Sequence, residues 1–437
     1  MIYGPPFTSI IEQSAQVYRD FLGEDAVLEH HSGVIIDDDM EELERYQLSA
    51  QRWHFPVIVS TTVQLFESLF SRKPSQCRKV HRITNSVIVL DEVQALPTKY
   101  LSPIMAMLRG LVEDWGCSVV FCSATQPWYG ILNLPEIRDL VPKDKRQRHF
   151  EILNKRVDYC YQSQFWDWSN LVTDIRERSL TNALVVVNTK ADARKGFEVL
   201  SELGNTFHLS TNMYAVHRRQ VLAEVRDRLK KRLPVYLVST QLIEAGVDVD
   251  FEAGYRVITG LDSIVQTAGR VNRNGKRNNA TLTIFDLKGG GYPSEEEVQD
   301  KTKITRYQLK TGESLYSEPI CENYFKSFLA SPEVDLDEQN IQELRNTLMF
   351  EEVDAKFKMI KDNEKLSVVI VIESTPIRLV QTAQDGEKLT QKDWRVLLQY
   401  SVDVNPKFAG SYLKEVLPGL RVWQGKYDPN VGICVSN

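Results

Sequence analysis

The 437-residue sequence contains no apolar run of membrane-spanning length, and no signal-peptide pattern follows Met1. Its six cysteines never stand at C-x-x-C spacing, which argues against a zinc site and against a disulfide framework. The formal net charge of −6 provides no overall basic field, so any nucleic-acid partner would have to be held by a local groove. These absences favour a protein of the reducing cytoplasm without a membrane partner, and the length predicts about two or three domains.

A short apolar run, Val87 to Leu90, is followed directly by two carboxylates, Asp91 and Glu92. Continuous β-branched residues of this kind predict a strand buried on both faces of a parallel sheet. Ligands of open α/β sheets bind at the carboxyl ends of the strands. An aspartate at such an end that holds Mg²⁺ against nucleotide phosphates is the Walker B arrangement. Two solvated acids at the end of a strand are the alternative for this dipeptide taken alone.

Strand-like and helix-like stretches alternate through the first 145 residues, which predicts a right-handed, mostly parallel α/β sheet. Hydroxyl side chains follow three of the predicted strands and should share one rim of the sheet with Asp91. These residues are Thr8 and Ser9, Thr61 and Thr62, and Ser123 and Thr125. Hydroxyls and the backbone N–H groups of helix N-termini suit phosphate oxygens. Helix capping is the alternative and is favoured for each pair taken singly.

A second α/β set is predicted from about residue 146 to 295, after a charged stretch at 141–150 that is interpreted as a linker. Two of its strands end in Asn188-Thr189 and in Thr240-Gln241. Residues 263–273 are predicted to be helical, so that Gln266, Arg270 and Arg273 share one face. Arginines placed together suit anions, and a guanidinium aimed at a γ-phosphate is an arginine finger. A solvated basic helix face is the alternative.

The remainder of the chain is predicted to hold a linker with helical parts at 296–345 and a small α+β domain at 346–437. The acidic stretch at 294–303 is interpreted as a turn. A β-branched run at 366–373 predicts a strand, and 392–400 predicts a helix.

Taken in order, these segments resemble the motor core of superfamily 2 helicases. Asp91-Glu92-Val93-Gln94 looks like motif II, Ser123-Ala124-Thr125 like motif III, residues 240–248 like motif V and residues 266–273 like motif VI. The stretches P-F-T-S-I-I-E-Q, S-T-T-V-Q-L-F-E-S-L, D-E-V-Q-A-L-P, S-A-T-Q-P and S-T-Q-L-I-E-A-G-V-D-V-D-F together resemble the CRISPR-associated helicase of type I interference systems. The resemblance implies two RecA-like parallel-sheet domains, the first incomplete, and a small α+β C-terminal domain, with boundaries at 1–145, 146–295, 296–345 and 346–437.

The resemblance also implies an ATP-dependent helicase that uses ATP and Mg²⁺. Asp91 would bind the metal, and Glu92 would orient or deprotonate the attacking water. Gln266, Arg270 and Arg273 would reach the phosphates, with Gly246 and Asp248 also at the nucleotide. A further set would line the path of single-stranded DNA or couple it to the nucleotide: Pro6, Thr8, Ser9, Thr61, Thr62, Ser123, Thr125, Asn188, Thr189, Thr240 and Gln241. A crRNA-guided surveillance complex is the implied protein partner.

The sequence departs from the family pattern in two ways. It contains no G-x-x-x-x-G-K-[ST] motif and no His-Asp dipeptide. The expectation is therefore a fragment that corresponds to the C-terminal part of such a protein and works with a separate HD nuclease or P-loop polypeptide. Two alternatives stay open: an ATP-independent DNA-binding or scaffolding remnant, and another superfamily 2 RNA or DNA helicase. Gln94, followed by Ala95-Leu96-Pro97, argues against the second.

Overall fold

The computed structural model describes residues 1–31, 34, 40–127, 130, 137–293, 295–310, 317–360 and 365–434, without the side chains of residues 8, 9, 40–44, 408 and 411. Residue contacts divide the chain into two units, Met1–Arg148 with Tyr316–Asp362 and His149–Leu315 with Asn363–Asn437. Within the described ranges, no helix is both long and apolar enough to cross a membrane. The domain boundaries expected at 145, 295 and 345 stay a prediction.

The first unit is built on a five-stranded parallel sheet in the order β2-β3-β1-β4-β5. Because the strands run in one direction, the carboxyl ends of β1, β3, β4 and β5 lie along one edge, as predicted. Strand β3 is buried along its whole length, and the β-branched run of β4 is exposed only at Val87. The elements are β1 (Ile2–Gly4), α1 (Thr8–Leu22), β2 (Val27–His30), α2 (Met40–Arg52), β3 (Val57–Ser60), α3 (Thr62–Phe70), α4 (Pro74–Cys77), β4 (Val87–Leu90), α5 (Leu101–Glu113) and β5 (Ser118–Phe121). Helix α6 (Lys143–Asn154) begins in this unit and ends in the second.

The second unit contains a six-stranded parallel sheet in the order β6-β11-β10-β7-β9-β8. Strands β7, β9 and β10 are buried along their whole length, as expected for parallel strands covered on both faces. The elements are β6 (Asp158–Trp166), α7 (Trp168–Glu177), β7 (Asn182–Val186), α8 (Lys190–Leu200), β8 (Thr206–Leu209), α9 (Ala215–Lys230), β9 (Val235–Ser239), β10 (Ala253–Val257), α10 (Leu261–Ala268), β11 (Thr281–Leu287) and α11 (Glu296–Lys310).

Two stretches interpreted as irregular are helical. Helix α6 occupies most of the stretch at 141–150 that was interpreted as a linker, and α11 occupies most of the acidic stretch at 294–303 that was interpreted as a turn. In α11 the acids lie at the start, where Glu296 and Glu297 complement the helix dipole. Lys301 then lies one turn later, with its Nζ 2.7 Å from the Glu297 carboxylate. Acidity at a helix N-terminus was therefore mistaken for acidity of a turn.

The segment after residue 316 returns to the first unit. Its helices are α12 (Glu318–Leu329), α13 (Ile341–Asn346) and α14 (Phe350–Lys356). The ring of Phe357 stacks on Phe70 with centroids 3.9 Å apart, and the Tyr100 hydroxyl donates to the Lys356 carbonyl over 2.8 Å. The hydroxyl of Ser71 donates to the Asp354 carboxylate over 2.6 Å. These contacts attach α14 to the end of α3 and to the start of α5.

The rest of the chain forms a small α+β domain, as predicted. It contains a mixed four-stranded sheet in the order β13-β12-β15-β14 and a separate two-stranded hairpin. Its core joins Val368, Ile370 and Trp423 to Tyr214 of the second parallel-sheet domain. Tyr214 also donates to the Glu373 carboxylate over 2.5 Å. The elements are β12 (Leu366–Val369), α15 (Ser374–Gln384), α16 (Gln391–Gln399), β13 (Ser401–Val404), α17 (Pro406–Ala409), β14 (Leu413–Leu417), β15 (Leu420–Trp423), β16 (Tyr427–Asp428) and β17 (Gly432–Ile433).

The hairpin of β16 and β17 touches the turn that precedes α9 through a glycine. Gly432 has φ +85°, and a Cβ there would lie 2.6 Å from the Asn212 carbonyl carbon and closer still to its oxygen. That oxygen accepts a hydrogen bond from the Ile433 N–H over 2.9 Å. We expect Gly432→Ala to lower the free energy of unfolding by about 2–4 kcal/mol, because backbone strain and a steric clash add. Urea denaturation measures the change.

Gly419→Ala is the matched control, since Gly419 has φ +89° and nothing within 4 Å of the added Cβ. It should cost only the strain, about 1 kcal/mol. Equal losses for the two substitutions would contradict the assigned contact at Asn212.

Candidate functional site

Asp91 is held at the end of β4 by the neighbouring strand β1. Its backbone N–H donates to the Gly4 carbonyl over 3.1 Å, and the Tyr3 hydroxyl donates to its Oδ2 over 2.5 Å. The other carboxylate oxygen, Oδ1, accepts the Glu92 N–H over 3.0 Å. Burial, followed by the hydrogen bond to Asp91 and then by its negative charge, raises the pKa of Tyr3, so the phenol keeps its proton and acts as a donor. The carboxylate is therefore fixed in position before any ligand arrives.

Glu92 begins a chain of hydrogen bonds that crosses from β4 to the loop after β5. Its backbone is in the left-handed region, with φ 46° and ψ 49°. The Gln94 Nε2 donates to the Glu92 Oε2 over 2.5 Å, and the Ser123 hydroxyl donates to the Gln94 Oε1 over 2.6 Å. The Thr125 N–H donates to the Ser123 hydroxyl over 2.9 Å. The structure thus brings together the predicted residues Glu92, Ser123 and Thr125.

The other predicted hydroxyls of the first unit have structural partners or lie outside the description. Thr61 caps α3 by accepting the Gln64 N–H over 3.0 Å, which is the capping role that the sequence left open. Thr62 is 3% exposed, and its N–H donates to the Pro5 carbonyl over 3.1 Å. Pro6 is half-buried in the same connection. Thr8 and Ser9 open α1, but their side chains lie outside the described residues.

The predicted helix over 263–273 is wrong in its second half. Helix α10 ends at Ala268, with Gly269 as its C-cap, so Gln266 is helical while Arg270 and Arg273 are not. The backbone after the helix pairs with Phe251: the Phe251 N–H donates to the Arg270 carbonyl over 3.0 Å, and the Asn272 N–H donates to the Phe251 carbonyl over 2.8 Å. Asn272 has φ +44°, which a helix does not allow. The three residues therefore do not share a helix face.

Arg270 and Arg273 instead contact the loop that contains Gly246 and Asp248. Arg270 donates from Nε to the Ile243 carbonyl over 3.1 Å and from Nη2 to the Glu244 carbonyl over 2.5 Å. The Arg273 Nε lies 3.0 Å from the Asp248 Oδ1. Gly246 has φ +68°, a conformation that glycine adopts without strain. The sequence regions predicted as motifs V and VI are thus in direct contact.

The loop alternates between inward apolar and outward acidic residues. Val247, Val249 and Phe251 are at most 7% exposed and pack in one apolar cluster, whereas Asp248 and Asp250 alternate with them. Asp250 accepts the Arg273 N–H over 2.8 Å and pairs with Arg277 over 2.7 Å. The alternation therefore places both carboxylates beside the basic turn after α10.

Asn188, predicted to touch nucleic acid, is 8% exposed, and its side chain makes hydrogen bonds inside the second unit. Its Nδ2 donates to the Ile258 carbonyl over 2.9 Å, and its Oδ1 accepts from the Arg256 Nη1 over 2.7 Å. Thr189 caps α8 by accepting the Asp192 N–H. Thr240 is 6% exposed, whereas Gln241 is exposed at the surface.

Sequence reasoning did not identify Arg256 and Glu244. Arg256 is 2% exposed near the end of β10, and its Nη2 lies 3.2 Å from the Glu244 Oε1. An arginine inside the strand-forming run Y-R-V-I was the available signal, because a buried charge needs a partner.

Comparisons with known proteins show what this chain is similar to. A family model described as CRISPR-associated nuclease/helicase Cas3, C-terminal, matches residues 179–276. The curated Cas3 nuclease/helicase of Haloferax volcanii is 24% identical, over 69% of this chain and 44% of the relative. Over these stretches the chain is similar to Cas3 nuclease/helicases. The Cas3 of Escherichia coli K12 is 22% identical, over 58% of this chain and 34% of the relative. The chain thus spans less than half the length of these two relatives.

Solved structures show the same fold. The crystal structure of T. fusca Cas3 with ATP superimposes with a TM-score of 0.72 at 14% identity, over 99% of this chain and 64% of that one. A chain of a CRISPR RNA-guided surveillance complex in a pre-nicking state gives a TM-score of 0.58 at 14% identity, over 99% of this chain and 67% of that one. The resemblance to the CRISPR-associated helicase is confirmed, and so is the predicted α/β fold class.

The carboxylates at the end of β4 fit a metal that is held jointly with a nucleotide. Across the described residues, no group of three or more His, Cys, Asp or Glu side chains could hold a metal by itself. Mg²⁺ commonly takes one or two protein carboxylates and completes its shell with waters and substrate phosphates. The two oxygens of Asp91 each accept one hydrogen bond and keep a further lone pair. Asp91, with Glu92 beside it, is therefore a suitable partial ligand set for Mg²⁺.

The Tyr3 hydrogen bond can be tested directly. We expect Tyr3→Phe to lower the free energy of unfolding by about 1–2 kcal/mol, because it removes a donor from a half-buried carboxylate. Urea denaturation measures this, with Tyr307→Phe as the control since Tyr307 is 73% exposed. Loss of no more stability than in the control would contradict the assigned role of the phenol.

Proposed function

We propose that this chain is a member of the Cas3 family and the core of an ATP-dependent single-stranded-DNA translocase and helicase of CRISPR type I interference. We further propose that it acts together with a P-loop segment that its 437 residues do not contain. The chain of hydrogen bonds from Glu92 through Gln94 to Ser123 carries the proposal. It connects a carboxylate suited to activating water with a loop suited to nucleic acid, which is the link that a nucleotide-driven motor needs.

Within this proposal, the residues of the candidate site have different roles. Asp91 would hold Mg²⁺, which neutralises phosphate charge, and Glu92 would orient the attacking water. Arg270 and Arg273 would contribute positive charge at the phosphates, which Gln266 would also reach. Of the predicted DNA contacts, Gln241 and Ser123 are the more accessible. Asn188, Thr62 and Thr240 are buried and would support the DNA path without touching the DNA.

The sheet order indicates where a P-loop strand would join the first unit. Adjacent strands lie about 4.8 Å apart, so a strand added beyond β5 would lie about 10 Å from β4, whereas one added beyond β2 would lie about 19 Å away. A loop that cradles phosphates must meet the metal held at Asp91. The proposal therefore places the P-loop strand on the β5 side of the sheet.

Single-stranded DNA and a crRNA-guided complex are the proposed partners. Single-stranded DNA would be contacted along its backbone, which gives the sequence-tolerant binding that translocation requires. The fold similarity to a chain of a CRISPR RNA-guided surveillance complex supports a crRNA-guided complex as the recruiting partner. An HD nuclease, on the same polypeptide as the P-loop or on another, and a cytoplasmic location belong to the proposal as well.

ATP hydrolysis under complementation tests the proposal. The full chain is mixed with a polypeptide that carries a G-x-x-x-x-G-K-[ST] strand–loop–helix, and phosphate release is measured with single-stranded DNA, with RNA and with neither. We expect hydrolysis only with the added polypeptide, stimulated more by single-stranded DNA than by RNA. A P-loop Lys→Ala variant of the added polypeptide is the control and should abolish hydrolysis. Absence of hydrolysis in every mixture would refute the proposal.

An ATP-independent DNA-binding remnant is the second candidate, favoured by the absence of a P-loop motif from the sequence. It predicts salt-dependent binding of single-stranded DNA that ATP does not change. An affinity that shifts on addition of ATP and the P-loop polypeptide would exclude it.

A further inference from the structure

A buried ion pair lies behind the two contacting loops of the second unit. Arg256 and Glu244 are 2% and 6% exposed, and both lie in the interior of the second unit. Two charges removed from water stabilise a fold only if other polar groups complete their hydrogen bonds. The partners of this pair therefore indicate what it holds together.

Arg256 joins three separate segments of the chain. Its Nη1 donates to the Asn188 Oδ1 over 2.7 Å, at the end of β7, and to its own neighbour's carbonyl, Val257, over 3.0 Å. Its Nη2 donates to the Ser263 hydroxyl over 2.8 Å, in the first turn of α10, and pairs with Glu244 in the loop after β9. The guanidinium fork thus fixes a strand end, a helix and a loop relative to one another.

Glu244 contacts α10 from the loop after β9. Its Oε1 accepts the Ser263 hydroxyl over 2.7 Å and the Thr267 hydroxyl over 3.3 Å, one turn apart along α10. Its side chain is thus attached to the helix and to Arg256, while its backbone carbonyl and that of Ile243 receive the Arg270 guanidinium. The position of the Arg270 guanidinium therefore depends on where residues 243 and 244 are held.

We propose that Arg256 and Glu244 are positioning residues that hold the loop at 243–248 against α10 and thereby orient Arg270. Neither side chain is placed to touch a substrate, since both are buried. The inference deepens the proposed function, because Arg270 is one of the groups expected at the nucleotide. It rests on that function only for its effect on catalysis and not for its effect on the loop.

A double substitution separates positioning from stability. Arg256→Met with Glu244→Gln removes both charges together, and replacing a buried ion pair by uncharged groups of similar size is often close to neutral for stability. The amide oxygen introduced by Glu244→Gln would still accept from Ser263 and Thr267 but would have no guanidinium to align with. Val185→Ala is the matched control, because Val185 is a fully buried residue of β7 whose side chain takes no part in the hydrogen bonds of Arg256 and Glu244.

Hydrogen exchange of the full chain, without nucleotide or DNA, tests the inference. In the double variant we expect amide exchange to rise about tenfold or more at 243–248 and 269–273, with exchange in β7 and β9 unchanged. Val185→Ala should show no selective rise in these segments. Unchanged exchange at 243–248, or an equal rise throughout the second unit, would overturn the inference. If the double variant does not fold, Arg256→Lys replaces it, because one ammonium cannot bind Asn188, Ser263 and Glu244 in the same geometry. A smaller rise in exchange is then expected in the same two segments. Its absence would overturn the inference.

Kinetics of the complemented enzyme supply the second readout. The double variant should lose about tenfold in kcat with little change in the KM for ATP, since Arg270 would be misplaced mainly for the transition state. A kcat equal to that of the unsubstituted enzyme would contradict the catalytic part of the inference. If no mixture hydrolyses ATP, the proposed function fails, while the exchange measurement still decides the positioning role.

Discussion

Asp91→Asn should reduce ATP hydrolysis by the complemented chain about a hundredfold or more. The substitution keeps the size of the side chain and an oxygen that can accept the Tyr3 hydroxyl, but it removes the negative charge that suits Mg²⁺. A metal ion contributes several kcal/mol of charge stabilisation to phosphoryl transfer, and each 1.36 kcal/mol corresponds to about a tenfold change in rate. The expected loss is therefore in kcat and should depend on the Mg²⁺ concentration.

Asp20→Asn is the control for this substitution. Asp20 is an exposed aspartate of α1 in the same unit, and its only described hydrogen bond comes from Gln16 one turn earlier. It should hydrolyse ATP at the unsubstituted rate. Both variants should melt within a few degrees of the unsubstituted chain, so that a loss of rate reflects chemistry. Activity of Asp91→Asn within about twofold of the control would remove Asp91 from the proposed metal site.

The parts of the candidate site that the sequence predicted are those set by local pattern. The apolar run before Asp91 indicates a buried strand by itself, and parallel strands bring their carboxyl ends to one edge. The partners of these residues could not be predicted in the same way. Tyr3 meets Asp91 from 88 positions away, and Gln94 meets Ser123 from 29 positions away. Hydrogen bonds of this kind depend on strand order, which residue spacing alone does not determine.

The errors have the same physical origin. The spacing of Gln266, Arg270 and Arg273 predicts one helix face, but the pairing of Val271 with Phe251 ends the helix first. Strand β2 was not predicted, because its four residues are half polar and are held by pairing with β3. In both cases a contact between distant segments outweighs a local preference.

The arginine in β10 illustrates the limit most clearly. Its residue type was visible in the run Y-R-V-I, yet its role depends on Asn188, which lies 68 positions earlier, and on Glu244 in another loop. Only the assembled sheet brings these partners together. Sequence could therefore indicate that Arg256 needs a partner but could not name it.

Arg256→Met alone should lower the free energy of unfolding by about 3–5 kcal/mol, because it leaves the Glu244 carboxylate buried without its partner. The loss should also depend on pH. Burial raises the pKa of Glu244, and Arg256 opposes that rise, so removing Arg256 raises the pKa further. A carboxyl whose pKa is higher in the folded state is accommodated there in its protonated form. The variant should therefore be least destabilised below the ordinary pKa of glutamate and should lose stability as the pH rises towards the folded-state value.

Urea denaturation between about pH 5 and pH 8 measures this dependence. Over the range between the two pKa values the slope approaches a loss of about 1.4 kcal/mol per pH unit, since the folded state holds one more proton than the unfolded state. Adding Glu244→Gln to Arg256→Met removes the titrating group, so the double variant should recover stability at the upper end of this range and lose the additional slope. Equal destabilisation of Arg256→Met at both ends of the range would show that the buried carboxylate is not the cause. Recovery of stability in the double variant would instead identify the unpaired Glu244 charge as the origin of the lost stability. The ion pair would then serve mainly to orient Arg270.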